Sequence, residues 1–268
     1  MTDLKLMAIL AHPDDESLGL GGTLTKYAAE GIETYLVCAT RGERGWFGEA
    51  AAYPGPAELG RIRQAELGSA AKVLSLREVS FLDYIDGDLD QADPREAIGK
   101  IVTHLRRVRP QVVITFDPNG DYGHPDHIAV SQFTTAAIVA AADPTYPADG
   151  DWPAHRVSKF YYRVPTHEEQ TTYETAFGDL IMHIDGVERR AVAWEAWAIT
   201  TWIDTLAHWP QIWSAVLCHR SQLPGYQQLQ QLSEAEQEKL WAIETYYRAF
   251  SLVNGGRQIE QDLFGGLR

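Results

Sequence analysis

With 37 acidic against 23 basic side chains, this chain of 268 residues carries a net charge of −14, which disfavours nucleic acid or an anionic membrane as its main partner. Its length can bury a sizeable core, and 45% hydrophobic with 22% charged residues is ordinary for a soluble globular protein. No apolar run is long enough to span a bilayer, Met1-Thr2-Asp3 leads into a strand rather than a signal peptide, and Cys38 and Cys218 make no disulfide framework, so a reduced, cytoplasmic setting is expected.

Short apolar, β-branched or aromatic runs predict strands at Lys5–Ala11, Thr34–Thr40, Val79–Phe81, Val112–Phe116, Lys159–Val164 and Leu180–Ile184. Helical patterns fall between them, near Leu18–Glu30, Glu58–Leu76, Pro94–Arg109 and Pro125–Ala142. Asp93-Pro94 supplies an N-cap and a first-turn proline, and Arg109-Pro110 a stop. The alternation implies right-handed βαβ units and a mainly parallel sheet. The expected class is therefore α/β, a Rossmann-like three-layer fold in a single domain over 1–268, with the sheet core in 1–186. Asp143–Pro153 reads as a loop. Residues 187–250 read as a helix-rich aromatic C-terminal part holding Trp194, Trp197, Trp202, Trp209, Trp213 and Trp241, expected to pack rather than to form a stacking platform; 251–268 reads as a tail.

His-Pro-Asp occurs twice, in Ala11-His12-Pro13-Asp14-Asp15-Glu16 and in His124-Pro125-Asp126-His127. Each lies between a strand and a helix, at the carboxyl ends where open α/β sheets bind ligands. His12 and Asp15 can converge on one point, and His127 can reach it from a neighbouring strand. Two imidazoles and one carboxylate leave coordination positions open, which is the catalytic rather than the structural arrangement for zinc. Asp14 is then free to act as a general base, and His124 to stabilise an oxyanion or protonate a leaving amine. A metal, a base and a second proton carrier are the parts needed for amide hydrolysis. A set of separately satisfied core and surface side chains is the plainer alternative, and two short clusters at two strand ends weigh against it.

These motifs resemble the LmbE-like (PIG-L) zinc-dependent N-acetylglucosaminyl deacetylases. The resemblance runs from Leu6 to Gln222 through Ala11–Glu16, Thr40-Arg41-Gly42-Glu43, Arg63-Gln64-Ala65-Glu66-Leu67, Asp86-Gly87, Tyr122–His127 and His219-Arg220-Ser221-Gln222. It implies one Zn2+ per chain on His12, Asp15 and His127, with Fe2+ or another divalent ion as the alternative. It further implies Asp14 as the base that activates the attacking water, His124 and Tyr122 on the oxyanion, and Asp126 orienting and tuning His124. Arg63 matches an arginine that holds the sugar, Glu66 lies one helical turn on, and Glu43, Asp86 and His219 complete the implied substrate contacts. For Arg63 and Glu66 an exposed ion pair, for Glu43 and Asp86 a turn cap, and for His219 simple packing are the structural alternatives. The substrate implied is a small N-acetylated amino sugar or conjugate, and relatives often form homo-oligomers. The Arg41–Gly60 segment, with Trp46, Phe47 and Tyr53, is a candidate lid or specificity wall.

Competing readings fit less well. Gly19-Leu20-Gly21-Gly22 fails the dinucleotide-binding pattern because Leu24 stands where its last glycine is needed; these glycines are expected to allow close backbone approach instead. A non-haem iron(II) oxygenase shares the two-His-one-carboxylate set, but usually on a β-sandwich barrel, and leaves Asp14 and His124 without roles. A non-catalytic sugar- or metal-binding protein, and an amidase cleaving a larger thiol- or sugar-conjugate amide, remain as alternatives.

Overall fold

The computed structural model describes residues 4–178, 181–184, 186–256 and 258–268. In chain order the elements are β1 (Lys5–Leu10), α1 (Asp15–Ala29), β2 (Glu33–Thr40), α2 (Pro56–Val73), β3 (Glu78–Tyr84), α3 (Pro94–Val108), β4 (Val112–Phe116) and α4 (Pro125–Ala142). They continue with β5 (Lys159–Arg163), α5 (His167–Phe177), β6 (Ile181–Ile184), β7 (Val187–Arg190), β8 (Thr201–Asp204), α6 (Trp209–Val216), α7 (Glu234–Trp241) and β9 (Ile243–Ser251). The strands and helices expected in the first 163 residues all occur, with ends shifted by a few residues. Asp93 caps α3, its Oδ1 accepting from the backbone N–H of Arg95 at 2.8 Å and of Glu96 at 3.1 Å, a contribution of about 1 kcal/mol.

Seven strands form one sheet in the order β3-β2-β1-β4-β5-β9-β8. β1 to β5 are mutually parallel, whereas β9 pairs antiparallel with both β5 and β8. Strand order runs outward in opposite directions from the β1/β4 pair, which is therefore the switch point where a crevice opens beyond the carboxyl ends. Both His-Pro-Asp motifs leave the sheet at that pair. The strands β1 and β4 are buried along nearly their whole length, as strands covered on both faces require.

The C-terminal third departs from expectation. Of the strand expected at Leu180–Ile184, Leu180 lies outside the described residues, and Ile181–Ile184 forms a separate antiparallel hairpin with β7 rather than joining the sheet. Residues 187–250 hold three strands besides two eight-residue helices. β9 is rich in β-branched and aromatic residues, which favour a pleated surface over a helix. The tail also packs: Leu263 and Phe264 are fully buried, and Phe264 meets the Tyr27 ring edge-on at 5.2 Å. Trp241 is buried and stacked on Trp213 as expected, but Trp197 is 87% exposed. Gly22 makes the expected close approach, since a Cβ there would lie 2.4 Å from Cβ of Thr205. Among the described residues no helix is long and apolar enough to cross a membrane.

Candidate active site

The turn after β1 is built for display. Thr40, ending the adjacent β2, donates both its backbone N–H and its hydroxyl to the carbonyl of Ala11 at 3.0 Å. His12 donates its backbone N–H to Asp15 Oδ2 at 2.7 Å. Asp14 takes φ 110°, a region costly for an L-residue by about 1–3 kcal/mol. Its carbonyl starts α1 by accepting from Ser17 and Leu18, both at 3.0 Å, while its side chain makes no helix cap. Instead the Asp14 carboxylate accepts from Arg63 Nη2 at 3.1 Å and from the Tyr226 hydroxyl at 2.6 Å.

Beside it three ligand-type side chains converge, with Asp15 turning a different carboxylate oxygen to each histidine. His12 Nδ1 lies 3.2 Å from His127 Nε2, His127 Nε2 lies 3.4 Å from Asp15 Oδ1, and His12 Nδ1 lies 3.7 Å from Asp15 Oδ2. Tetrahedral ligands about 2.0–2.2 Å from a zinc ion stand roughly 3.3–3.6 Å apart, so the set fits a divalent metal. On the far side of the ring, His12 Nε2 faces Asp126 Oδ2 and Asp86 Oδ1, both at 3.1 Å. That pairing commits Nε2 to carboxylates and leaves Nδ1 for the ion. His12, His124 and His127 also bring ligand atoms within 4.8 Å of one another, as do His12, Asp86 and Asp126. The first alternative would use up His124, and the second would use the nitrogen already held by carboxylates.

The electrostatics match a site short of positive charge. Burial pushes the Asp15 carboxyl up to about 8, aided by the carboxylates of Asp14 and Glu16 and opposed by His12. Burial disfavours charge on His12, yet Asp126, Asp86 and Asp15 together hold its pKa well above the ordinary value. His127 is driven well below it by burial and by the neighbouring histidines. A divalent cation satisfies all three at once.

His124 caps α4: its Nδ1 accepts the backbone N–H of Asp126 at 3.1 Å. In the neutral ring the proton therefore sits on Nε2. Burial, then the charge of His12, lowers its pKa to about 4, which keeps the ring a neutral donor near pH 7. It packs edge-on to His12 at 4.7 Å and stacks on His127 at 5.0 Å, with Tyr122 edge-on at 5.9 Å. Burial and nearby carboxylates hold the Tyr122 phenol protonated. His12, Tyr122 and His124 line a cavity of about 470 Å³.

Residues 7–138 match the family model described as PIG-L, GlcNAc-PI de-N-acetylase. The chain is 31% identical to a 1D-myo-inositol 2-acetamido-2-deoxy-alpha-D-glucopyranoside deacetylase of Thermobispora bispora over the whole of both chains. The chain belongs to the PIG-L family. A mycothiol S-conjugate amidase of Streptomyces coelicolor is 30% identical, covering 100% of this chain and 99% of its own. A conserved protein of Thermus thermophilus shares the fold with a TM-score of 0.67 and 25% identity, over 94% of this chain and 97% of its own. As a member of this family, the protein is an enzyme that hydrolyses amides.

Set within the family, the implied site residues divide into two groups. His12, Asp14, Asp15, Tyr122, His124 and Asp86 all line the cavity, and His127 sits just beneath it. Asp126 is placed differently from the expectation: its fully buried carboxylate contacts His12, and also accepts from the backbone N–H of Gly87 at 2.7 Å and Leu89 at 3.1 Å. It touches His124 through its own backbone N–H rather than its side chain.

The four remaining residues implied as substrate contacts bond to protein groups. Arg63 lines the cavity, but its nitrogens bond to the carbonyls of Pro13 at 2.5 Å and Gly42 at 3.0 Å and to Asp14. Gly42 has φ 69°, and a Cβ there would lie 2.3 Å from the Arg63 guanidinium, so glycine is required. Glu66 holds the backbone N–H and hydroxyl of Ser221 at 2.8 and 2.7 Å, not Arg63. Glu43 accepts from the backbone N–H of Asp86 at 3.2 Å. His219, fully buried, pairs with Glu16 at 2.8 Å beneath α1. Glu43 thus holds a loop backbone, His219 a buried carboxylate, and Glu66 and Arg63 brace neighbouring loops. The Arg41–Gly60 segment is pinned, with Gln222 Nε2 donating to Gly45 O at 2.9 Å and the Phe47 ring over Gly225. Sequence reasoning missed Tyr226, Asp121 and Asp117. Asp117 accepts from Trp194 Nε1 at 2.8 Å, and only the Asp-Pro-Asn-Gly-Asp run after β4 hinted at it.

Proposed function

We propose that the protein is a metal-dependent N-deacetylase that removes an acetyl group from the amine of an amino sugar or its conjugate, releasing acetate and a free amine. The convergence of His12, Asp15 and His127 within 3.2–3.7 Å, beside a carboxylate that is not part of the set, supports this reading most directly. The names of the relatives supply the sugar: they act on N-acetylglucosamine linked to inositol or on mycothiol conjugates.

A divalent ion on His12, Asp15 and His127, with zinc favoured by the mixed nitrogen and oxygen donors, would supply Lewis-acid polarisation of the amide carbonyl and the attacking water. Asp14, aimed by Arg63 and Tyr226, takes the proton of the attacking water and passes it to the departing nitrogen. His124 Nε2–H and the Tyr122 hydroxyl donate to the oxygen that gains charge as the carbonyl becomes tetrahedral. Asp126 and Asp86 fix the His12 ring.

The deciding experiment is an amine-release assay on zinc-loaded enzyme with N-acetylglucosamine, its inositol glycoside, N,N′-diacetylchitobiose and a mycothiol conjugate. Equimolar acetate and free amine from an acetylated sugar are expected. No amine from any of them, with metal content verified, overturns the reading. Release from the mycothiol conjugate alone favours the second reading, an amidase for larger acyl groups, which the Streptomyces coelicolor relative and the half-exposed Phe47 at the cavity mouth support.

A further inference from the structure

The cavity has a second wall that the proposed chemistry does not use. It comes from the end of β5, from α5, from the β6–β7 hairpin and from Asp121 on the loop after β4. Most of it is apolar, with Pro165, Tyr173, Ile181 and Met182. Its polar groups are unequal. Arg163 engages each of its nitrogens, with Nε donating to Gly19 O at 2.8 Å, Nη1 to Val164 O and Nη2 to Glu169. Glu169 is thereby paired. Asp121 is not: its backbone N–H is anchored on Asp117 Oδ1 at 3.1 Å, but no hydrogen bond or ion pair among the described residues reaches its carboxylate. Burial holds that carboxyl up at about 6, with Glu169 and Asp117 adding to the effect and Arg163 opposing it.

The rest of the cavity offers no cation to spare. Apart from the histidines of the catalytic group, its cationic lining residues among those described are Arg63 and Arg163. Arg63 spends Nη1 and Nη2 on Pro13, Gly42 and Asp14, and its Nε, which has no partner, is itself buried and closed to a ligand. A phosphate or carboxylate placed against this wall would meet a carboxylate and find no free guanidinium or ammonium. A donor would complete Asp121.

We propose that Asp121 is a specificity residue that accepts a hydrogen bond from a hydroxyl or ammonium group on the part of the substrate remote from the amide, and that excludes anionic substituents there. This rests on the amino-sugar reading for the placement of the amide at the other end of the cavity. Apolar faces of Ile181 and Met182 would flank the same group, so the fit is to a non-anionic aglycone with a donor on one edge.

The test uses three N-acetylglucosaminides that share the sugar and differ in aglycone: myo-inositol, myo-inositol phosphate and aminoethyl. On zinc-loaded wild-type enzyme, kcat/KM for the first and third should exceed that for the phosphate by about tenfold or more, and Asp121→Asn should narrow the gap to about threefold, mainly through KM. Asparagine tolerates the positive φ of 60° at this position, so the loop keeps its form. A greater loss for the aminoethyl compound than for the inositol compound in Asp121→Asn identifies the group as ammonium; the reverse order identifies hydroxyl. Equal or better turnover of the phosphate by the wild type, or an unchanged gap in the variant, overturns the proposal. If no amine is released from any of the three, the reaction reading falls, and calorimetric binding of the same compounds still decides the wall: weaker binding of the phosphate supports it, equal or tighter binding overturns it.

Discussion

The Tyr226 hydroxyl donates to Asp14 Oδ2 over 2.6 Å, joining residues 212 positions apart in the chain. The pair explains how a carboxylate on a strained turn keeps one orientation: Arg63 and Tyr226 both donate to the same oxygen, Oδ2. Tyr226→Phe keeps the ring and removes the donor. A hydrogen bond to a charged group contributes about 1.5–3 kcal/mol, so a loss in kcat of at least about tenfold is expected, with KM and bound metal little changed. Steady-state kinetics alongside metal analysis checks this. An unaltered kcat would remove Tyr226 from the machinery.

Separating base from ligand needs two further variants. Asp14→Asn should retain metal and lose most turnover, on the order of 10²–10⁴-fold for a missing general base. His127→Ala should lose the metal itself, because two remaining donors make a weak site. Turnover persisting in a verified metal-free His127→Ala protein would sink the mechanism.

Much of this was legible locally, and the limits are physical. His12, Asp14, Asp15, His124 and His127 sit within two short turns, so strand–turn–helix patterning alone placed them at sheet ends; only pairing of β1 with β4 was needed to join them. The supporting contacts were not legible. Asp126 turns toward His12 rather than His124 because α4 carries its side chain back across the turn, where the Gly87 and Leu89 N–H groups hold it. Tyr226 joins the cavity from a segment far away in sequence, whereas Asp121, next to Tyr122, gains its place there only from the wall that α5 and the β6–β7 hairpin build around it. β9 was hidden by its aromatic neighbours: Thr-Tyr-Tyr-Arg-Ala-Phe reads equally as the end of an aromatic helix until the open edge of β5 is there to pair it.

The relocation of Asp126 changes what its substitution should do. If it served His124, Asp126→Asn would leave metal binding alone. Because it holds His12 Nε2 at 3.1 Å, the variant should bind zinc about 10–100-fold more weakly. Chelator competition gives the constant directly. The cap on α4 should survive, since it uses the backbone N–H of residue 126. Wild-type zinc affinity in the variant would return Asp126 to the role expected from the sequence.

His124 should resist protonation. In the metal-free protein, burial and the charge of His12 disfavour its imidazolium, and its Nδ1 already accepts a backbone N–H. Its pKa of about 4 places the titration well below the ordinary histidine range. Nitrogen-15 shifts of the ring should therefore show the Nε2–H tautomer from neutral pH down to near pH 5, with protonation only below that. A midpoint near 6.5 would contradict the buried, cation-flanked environment.

The last prediction concerns the tail. Glu260 gathers Lys159 at 2.7 Å, Arg248 at 2.9 Å and the Tyr161 hydroxyl at 2.7 Å, and so fastens residues beyond β9 onto the sheet. Lys159 is fully buried, so removing its partner leaves an uncompensated charge inside the protein. Glu260→Ala should lower stability by about 3–5 kcal/mol, read as a reduced urea midpoint. Burial alone would raise the Glu260 pKa, but Lys159, Tyr161 and Asn254 bring it below the ordinary 4.5. A carboxylate with a lowered folded-state pKa adds stability that is complete above its unfolded value and is lost as pH falls through the folded one. The wild type should therefore lose stability on acidification below about pH 4.5, and Glu260→Gln should lose less over the same interval. Parallel acid slopes for the two proteins would show that the tail is held by Leu263 and Phe264 rather than by this carboxylate.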